Sequence, residues 1–257
     1  MNLIKSPFDE VTLLITHYNR SRSLERLLQS FSDYGTRFYD IIVSDDGSKS
    51  EHISYITELK KRFDFQLLLA EKNRGLGNNI NKGQEAVKSE FTLYVQEDFV
   101  PLPGFEKPLA DGLSILKDDP SADTVRFYSY LDYPQKKYYR DGFSEMIFDP
   151  FSLNLHKFPL YSDHPHLRRS NFLKKFGKYN ENKHSDKTEF EMMLSFIRNK
   201  GKGYLYNDYK SVFDQVNDSF EPSTVHRVSW RASNNLLIKW IRYIYRQISY
   251  NYSLYIK

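Results

Sequence analysis

The chain contains the stretch Leu93-Tyr94-Val95-Gln96-Glu97-Asp98-Phe99-Val100-Pro101, in which a hydrophobic run ends at two adjacent carboxylates. A buried strand of this kind places negative charge at the carboxyl end of a sheet, where open α/β folds bind their ligands. Carboxylate oxygens there suit a hard divalent cation, Mg²⁺ or Mn²⁺, held against the phosphates of a substrate. An acidic surface turn would give the same pattern, so the preceding segments are needed to choose between the two interpretations.

Three more hydrophobic runs precede this one, at residues 11–15, 41–43 and 65–69, and helical patterns lie between them. The runs are short and rich in β-branched residues, which is typical of strands buried on both faces of a parallel sheet. The first helix should span Leu24 and Phe31, with Ser21 or Ser23 as its cap. Alternating strands and helices predict βαβ units, and therefore an α/β fold with a mostly parallel, Rossmann-like central sheet flanked by helices.

Composition excludes several classes of protein. The 257 residues include no cysteine, so disulfides, thiolate metal sites and cysteine nucleophiles are ruled out. The net charge of +4 gives little support to a nucleic-acid partner. Residues 1–10 lack the apolar segment of a signal peptide, and no run of about eighteen apolar residues occurs, so we expect a cytoplasmic protein.

The C-terminal segment, residues 229–257, has a composition of its own. From Trp230 onward it contains lysines and arginines but no acid, interleaved with aliphatic and aromatic residues. On a helix, Lys239, Arg242 and Arg246 share one side, a pattern that favours an amphipathic helix on an anionic membrane surface. Docking against the parent domain or against a second subunit of a homo-oligomer is the alternative. We therefore divide the chain into a domain at 1–228, with halves at 1–105 and 106–228, and a basic aromatic tail.

Polar residues follow three of the predicted strands and should converge at one edge of the sheet. Thr16, Tyr18 and Arg20 offer a hydroxyl, a ring for stacking on a base and a cation for phosphate. The pair Asp45-Asp46 can accept from a base imide or from a ribose hydroxyl, although an ordinary acidic turn has the same sequence. The dinucleotide fingerprint fails because Ile80 stands where a third glycine is needed, and neither a P-loop nor a hydrolase elbow is present.

Four motifs in order resemble those of the family 2 glycosyltransferases, which have the GT-A fold. They are Thr-x-Tyr-Asn-Arg at 16–20, Val-Ser-Asp-Asp-Gly-Ser at 43–48, Asn-x-Gly-x-Gly-x-x-x-Asn-x-Gly at 73–83 and Tyr-Val-Gln-Glu-Asp-Phe-Val-Pro at 94–101. The resemblance spans residues 10–105 and is fainter over 165–225. It implies a nucleotide-diphosphate sugar donor, an Asp-x-Asp type of metal motif and inversion at the anomeric carbon.

The resemblance also implies roles for particular residues. Thr16, Tyr18, Arg20, Asp45, Asp46 and Arg74 are expected to hold the nucleotide sugar, together with Gln96 and Glu97. Gln96 replaces the usual first aspartate of the metal motif, which leaves Asp98 as the expected ligand for Mn²⁺ or Mg²⁺, with Glu97 in support.

The general base of the resembled family lies at a helix start about a dozen residues before a glycine. Counting back from Gly201 reaches Glu189, with Asp186 and Glu191 as neighbouring alternatives and Phe190 in place of the second acid of the usual pair. Asp214 is the expected substitute for a downstream histidine at the metal, and His226-Arg227 for a contact with the diphosphate. His164 and His166 are more typical of surface or acceptor-pocket groups than of a metal pair.

The sequence thus predicts an inverting, metal-assisted hexosyltransferase that uses a UDP-sugar and a glycan or lipid-linked acceptor in cell-surface polysaccharide synthesis. A non-catalytic nucleotide- or glycan-binding GT-A module is the alternative, since Gln96 and Phe190 depart from the family pattern. A nucleotidyltransferase would need a glycine-rich loop after the first strand, and residues 16–20 contain no glycine.

Overall fold

The computed structural model describes residues 8–217, residue 221 and residues 236–256. Its first half comprises β1 (Phe8–His17), α1 (Ser21–Asp33), β2 (Phe38–Asp45), α2 (Ser50–Leu59), β3 (Gln66–Leu68), α3 (Leu76–Ala86) and β4 (Phe91–Gln96). The second half comprises β5 (Phe99–Pro101), α4 (Glu106–Asp118), β6 (Thr124–Arg126), β7 (Lys136–Arg140), β8 (Phe143–Met146), β9 (His166–Arg169), α5 (Phe172–Phe176), α6 (Ser185–Arg198), β10 (Gly203–Tyr206), β11 (Phe213–Gln215) and α7 (Leu236–Tyr255).

A nine-stranded sheet in the order β3-β2-β1-β4-β9-β6-β10-β8-β7 forms the centre of the molecule. Strands β3, β2, β1 and β4 are parallel, as the βαβ pattern predicts. Strand β9 runs antiparallel to both β4 and β6, and so joins the two halves of the chain. The remaining strands, β5 and β11, form a separate antiparallel ribbon. The predicted α/β class with a mostly parallel sheet is confirmed.

Side chains of β1 alternate between two hydrophobic cores, one on each face of the sheet. Leu13 and Ile15 pack with α1 and α4 on one face. Leu14 packs with Ile42 and Ile80 on the other face, which α3 covers. Because both faces are buried, the centre of β1 is apolar at Leu13, Leu14 and Ile15, and Thr16 and His17 then bring polar side chains to the ligand-binding edge.

Helix α1 is capped from a distance. Its first residues receive no side-chain cap from their neighbours, so the prediction of Ser21 or Ser23 as the cap is wrong. The carboxylate of Glu221 instead accepts the backbone N–H groups of Arg22 and Ser23, at 3.0 and 2.9 Å. A carboxylate at a helix N-terminus satisfies free N–H groups and complements the helix dipole.

Helix α7 lies against α6 through its C-terminal end. Leu254 is buried with Phe158, Met193 and Leu194. Arg198 of α6 donates to the Leu254 carbonyl, at 3.0 Å, and to the Ser253 carbonyl. The opposite side of α7 carries a stripe of exposed large side chains, namely Trp240, Ile241, Ile244, Tyr245 and Ile248. Within the described ranges, no helix combines the length and the apolar character that crossing a membrane requires.

Candidate active site

A cavity of about 820 Å³ opens at the carboxyl ends of β1, β2 and β4. One wall consists of predicted donor-site residues, namely Thr16, Tyr18, Arg20, Asp46, Gln96, Glu97 and Asp98. The opposite wall belongs to the second half of the chain and includes Asp163, His164, Asp186 and Glu189. The structure therefore brings both groups of predicted residues to one site.

Asp45 lies behind this cavity and not on its wall. Its carboxylate is fully buried and accepts from His17 Nδ1 at 2.8 Å, from the Ser48 hydroxyl at 2.5 Å and from the N–H groups of Gly47 and Ser48. These hydrogen bonds outweigh the cost of burial and lower the pKa of Asp45. Asp45 therefore shapes the loop after β2 and orients His17, instead of facing a ligand.

Asp46 does line the cavity. Its two oxygens accept the backbone N–H groups of Arg74 and Gly75, each at 2.9 Å. These contacts hold the 73–75 loop beside the cavity, although the exposed Arg74 side chain turns to Glu181 instead, at 2.8 Å. Gly47, which follows Asp46, has φ +72°, and a Cβ there would lie 2.3 Å from the backbone of Lys72. Only glycine fits this turn.

Asp98 projects into the cavity from the end of β4. One carboxylate oxygen, Oδ2, contacts the Arg20 guanidinium at 3.2 Å and accepts from Gln215 Nε2 at 2.9 Å. The other, Oδ1, is buried without a hydrogen-bond partner in the described structure. A buried carboxylate oxygen without a partner is energetically costly unless a ligand or ion satisfies it.

Glu97 adds a second carboxylate beside Asp98. Burial and then the negative charge of Asp98 raise the pKa of Glu97 to about 8, which the Arg20 cation only partly offsets. Two crowded carboxylates of this kind, one with an unpartnered oxygen, fit a divalent cation that takes its remaining ligands from phosphate. No group of three or more acids and histidines comes together to form an all-protein metal site in the described part of the chain.

Gln96 and Thr16 lie on the donor-side wall of the cavity. The Thr16 hydroxyl is 3.0 Å from the hydroxyl of the buried Tyr94, and Gln96 Nε2 reaches toward the Asp163 carbonyl at 3.5 Å. The amide N–H of Gln96 thus points to a carbonyl oxygen of the second half of the chain. A carboxylate at position 96 has no N–H to donate and would repel this oxygen. This geometry favours glutamine over aspartate at that position.

Glu189 faces the cavity from the second turn of α6. Its Oε1 accepts the backbone N–H of Asp163 at 3.0 Å. Burial and then the charge of Asp163 raise the pKa of Glu189 to about 7. Asp163 is itself 2% exposed, and its Oδ1 accepts from the hydroxyls of Tyr161 and Tyr179, at 2.9 and 3.1 Å. The site therefore contains a second pair of acids opposite Glu97 and Asp98.

The two neighbours of Glu189 are placed differently. Asp186 is exposed at the cavity mouth. Glu191 lies outside this cavity, where Lys183 Nζ donates to both of its oxygens at 2.9 Å and, with Asn180, lowers its pKa. Of the three predicted acids, Glu189 alone is both half-buried at the cavity wall and held by the backbone of Asp163, just before β9.

Asp214 does not reach the site. Side chains alternate along β11, so Gln215 contacts Asp98 while Asp214 is exposed on the other side of the strand. Gln215 is therefore the residue of this strand that touches the acidic cluster. His226 and Arg227 lie outside the described residues.

Asp163 and Gln215 were missed by sequence reasoning. Asp163 directly precedes His164-Pro165-His166. This cluster of titratable residues is the sequence signal that could have indicated a functional loop. His164 lines the cavity, as an acceptor-pocket group would. His166, in contrast, is 1% exposed and packs on Tyr94 and Tyr161, so a surface role is wrong for it.

The asparagine and glycine motif of α3 connects the two walls. Asn81 bonds the backbone of Tyr179 twice, through Nδ2 to the carbonyl and through Oδ1 to the N–H, each at 2.9 Å. Gly77 lies so close to the next part of this segment that a Cβ would be 2.3 Å from the Asn180 carbonyl oxygen. The segment leads into α6, so this motif fixes the position of Glu189 relative to the loops of the first half.

Comparison with known proteins agrees with this architecture. The model of the family Glycosyl transferase family 2 matches residues 12–177, and the chain belongs to this family. It is 31% identical over 101 residues to the poly-β-1,6-N-acetyl-D-glucosamine synthase of Staphylococcus epidermidis, covering 38% of this chain and 24% of that protein. The corresponding enzyme of Staphylococcus aureus strain COL is 26% identical over 90 residues, covering 35% of this chain and 22% of the relative. The matched region is thus about a quarter of the length of these relatives.

Two solved structures share the fold at low sequence identity. Staphylococcus aureus TarS 1–349 in complex with UDP-GlcNAc superposes with a TM-score of 0.62 at 14% identity, covering 96% of this chain and 76% of that one. The mannosyltransferase PcManGT of Pyrobaculum calidifontis in complex with GDP-Man and Mn²⁺ gives 0.53 at 13% identity, covering 95% and 63%. The fold is that of the GT-A glycosyltransferases.

Proposed function

We propose that this chain is an inverting hexosyltransferase that moves a sugar from a UDP-sugar to a hydroxyl of a glycan or lipid-linked acceptor in cell-surface polysaccharide synthesis. One observation carries the proposal: the Glu97-Asp98 pair and the Glu189 carboxylate face a single cavity from opposite walls. Such an arrangement can bind a leaving diphosphate on one side and deprotonate an acceptor on the other. The names of the curated relatives and the UDP-GlcNAc bound to TarS support the choice of donor and pathway.

On the donor side, Tyr18 offers a ring for the base, and Thr16, Asp46 and Gln96 offer polar contacts for the ribose and the sugar. Arg20 lies 3.2 Å from Asp98 and would contact the diphosphate. Asp45 acts by holding the loop after β2, and Arg74 by the backbone N–H that it donates to Asp46. The proposed donor site therefore depends on fewer charged side chains than the sequence predicts.

Asp98, with Glu97 in support, would hold Mn²⁺ or Mg²⁺. A divalent cation bound there stabilises the charge that develops on the departing diphosphate. Asp98 Oδ1 is the oxygen available for this role, because Oδ2 is shared by Arg20 and Gln215.

Glu189 would act as the general base. The acceptor oxygen attacks the anomeric carbon as the bond to the diphosphate breaks, and the hydroxyl proton passes to the Glu189 carboxylate. The N–H of Asp163 orients this carboxylate through Oε1. A pKa near 7 keeps a large fraction of Glu189 ionised at neutral pH while leaving it basic enough to accept the proton.

The first test combines ligand binding with an Asp98 variant. Thermal unfolding is followed with UDP, GDP, dTDP and CMP, each with and without Mn²⁺, because a ligand of the folded state raises its stability by mass action. We expect one nucleotide, UDP, to raise the midpoint, more so with Mn²⁺, and Asp98→Ala to lose the Mn²⁺-dependent part and sugar transfer. Full activity in Asp98→Ala would refute the metal assignment.

If none of the four nucleotides raises the midpoint of thermal unfolding, the result would instead favour the non-catalytic binding module. Hydrolysis of the UDP-sugar without an acceptor would argue against that module, because binding alone turns nothing over.

The tail would hold the enzyme at the cytoplasmic face of a membrane as a peripheral protein. The exposed stripe of α7 is apolar and includes Trp240 and Tyr245, and the charged residues from Trp230 onward are all cations, which suits an anionic lipid surface. Alternatively, the stripe would pack against a second copy of the chain in a homo-oligomer. Sedimentation with vesicles distinguishes membrane binding from self-association.

A further inference from the structure

A second cavity, of about 850 Å³, lies between α6 and α7. It shares Lys183, Asp186 and Glu189 with the active-site cavity, so the two meet at the proposed base. The far wall is formed by Arg246, Tyr250 and other residues of α7. We call this cavity the α6–α7 groove. A molecule lying in it could present a hydroxyl to Glu189 without passing through the donor site.

Cations outnumber acids around this groove. Its lining includes five basic residues, Lys178, Lys183, Lys187, Arg198 and Arg246, and three acids, Asp186, Glu189 and Glu191. Lys183 and Glu191 neutralise each other, Lys178 pairs with Glu85, and Arg198 donates to the carbonyls that end α7. Lys187 and Arg246 are both exposed and lie on opposite walls, one on each helix. The groove thus presents positive charge from two sides.

The same groove has an aromatic and apolar part. The ring centroids of Phe190 on α6 and Tyr250 on α7 are 4.6 Å apart. Phe176, Met192 and Leu194 contribute further apolar surface. Phe190 stands where the resembled family has a second acid, and its contact with Tyr250 gives a physical reason for the change. An apolar residue here helps α7 to pack beside α6.

From this arrangement we propose that the α6–α7 groove binds the acceptor through a phosphate or diphosphate group held by Lys187 and Arg246; this inference rests on the proposed function. Lysine and arginine form strong charge-assisted hydrogen bonds with phosphate oxygens. The Phe190 and Tyr250 rings lie beside this charge and provide surface for the sugar ring or lipid chain next to the phosphate. Two sources share this chemistry: a lipid-linked diphosphate and a glycan with phosphodiester links.

The experiment uses the whole chain saturated with UDP and Mg²⁺, so that the donor site is already filled. Calorimetric titration then measures binding of two probes, geranyl diphosphate and a glycerol phosphate trimer. The test variant is Lys187→Gln with Arg246→Gln. The matched control is Lys60→Gln with Lys88→Gln, which removes two exposed positive charges elsewhere. The midpoint of thermal unfolding shows whether each variant is folded. If the double variant does not fold, the single variant Arg246→Gln replaces it in the titration.

We expect at least one probe to bind the wild-type chain, with affinity reduced tenfold or more in the groove variant and less than twofold in the control. Binding of geranyl diphosphate alone would identify the lipid source, and binding of the trimer alone the phosphodiester source. If neither probe binds, or if both variants lose the same affinity for the probes, the groove proposal is wrong. The donor-site proposal would still stand in that case, provided that UDP binds. Charge-dependent probe binding without any UDP binding would refute the proposed function and leave the groove in place.

Discussion

The Glu189 carboxylate is held by one hydrogen bond, from the backbone of a residue that also carries a negative charge. The N–H of Asp163 favours the ionised form, whereas burial and the Asp163 carboxylate oppose it. These opposing effects leave the pKa of Glu189 at about 7. At neutral pH, a small shift of this pKa therefore changes the ionised fraction of Glu189 strongly.

Glu189→Gln should slow transfer strongly, since an amide cannot take up the proton of the acceptor hydroxyl. General-base catalysis contributes on the order of 10²- to 10⁴-fold, and we expect kcat to fall within that range while UDP binding stays within twofold. Glu191→Gln, whose carboxylate already pairs with Lys183, should lose less than tenfold. Steady-state kinetics of both variants check this, and a larger loss in Glu191→Gln would move the base to that residue.

The pH profile of kcat/KM should fall on the acid side near pH 7, where Glu189 takes up its proton. Asp163→Asn removes the negative charge that raises this pKa, so the acid limb should move to lower pH. The other charged groups facing Glu189 are Arg126, which lowers its pKa, and Asp186, which raises it. An unchanged limb in Asp163→Asn, with the variant folded by thermal unfolding, would exclude Glu189 as the titrating base.

Glu97→Gln should stabilise the metal-free protein at high pH. The native state keeps a proton on Glu97 up to about pH 8, whereas the unfolded chain loses it near pH 4.5. This group therefore lowers the free energy of unfolding as pH rises through that window. In EDTA, the variant should melt above the wild type at pH 9, with the difference shrinking toward pH 5. An equal difference at every pH would contradict the assignment.

At the scale of elements, α3 is the connection between the donor loops and the base. Its Asn81 bonds the backbone of Tyr179 in both directions, and the chain then continues into α6. This geometry explains the asparagine and glycine motif at residues 73–83, for which we propose a structural role and no catalytic one. Asn81 is buried because it supplies the hydrogen-bond partners that a neighbouring strand would otherwise give to the backbone of Tyr179.

Asn81→Ala should lower the free energy of unfolding by about 2 kcal/mol, because it leaves a buried N–H and a buried carbonyl without partners. It should also reduce kcat by displacing α6. Lys88→Ala, at an exposed position just after the same helix, is the control and should change stability by less than about 0.5 kcal/mol. Urea unfolding measures both, and similar values for the two variants would show that α3 does not hold this segment.

The elements of the first half follow from local patterns, and the sequence predicts them well. Strands at 11–15, 41–43 and 91–95 are apolar on both faces, so their order and their polar ends at the sheet edge could be inferred without coordinates. Strand β9 could not, because it inserts antiparallel between β4 and β6 and its pairing is set by residues far away in the chain. Asp163 enters the site on this strand connection, and the Glu221 cap of α1 is equally non-local, which is why both escaped prediction.

At the scale of the whole molecule, charge is distributed unevenly. The net charge of the chain is +4, yet the residues from Trp230 onward hold Arg231, Lys239, Arg242, Arg246 and Lys257 with no acid. The remainder is therefore slightly acidic, and the positive potential is concentrated in the tail. The exposed stripe of α7 lies in this same segment, so charge and apolar surface act together there.

Vesicles containing anionic lipid should bind the protein, and neutral vesicles should bind it much less. Raising the salt concentration should weaken the interaction, because screening reduces attraction between exposed charges and the lipid surface. Replacing Ile244 and Ile248 by Ser should weaken binding even at low salt, since apolar surface is lost. Sedimentation with vesicles measures each case. Unchanged sedimentation, together with dimer formation in solution that the Ile variants abolish, would assign the stripe to a second copy.

The exposed position of Trp240 also gives the protein a built-in optical probe. The chain has only two tryptophans, at positions 230 and 240, and both belong to the tail. The emission spectrum of the unlabelled protein therefore reports on this segment and not on the catalytic domain, whose aromatic residues are tyrosine and phenylalanine. A blue shift that accompanies burial of the tail would be visible without any added dye.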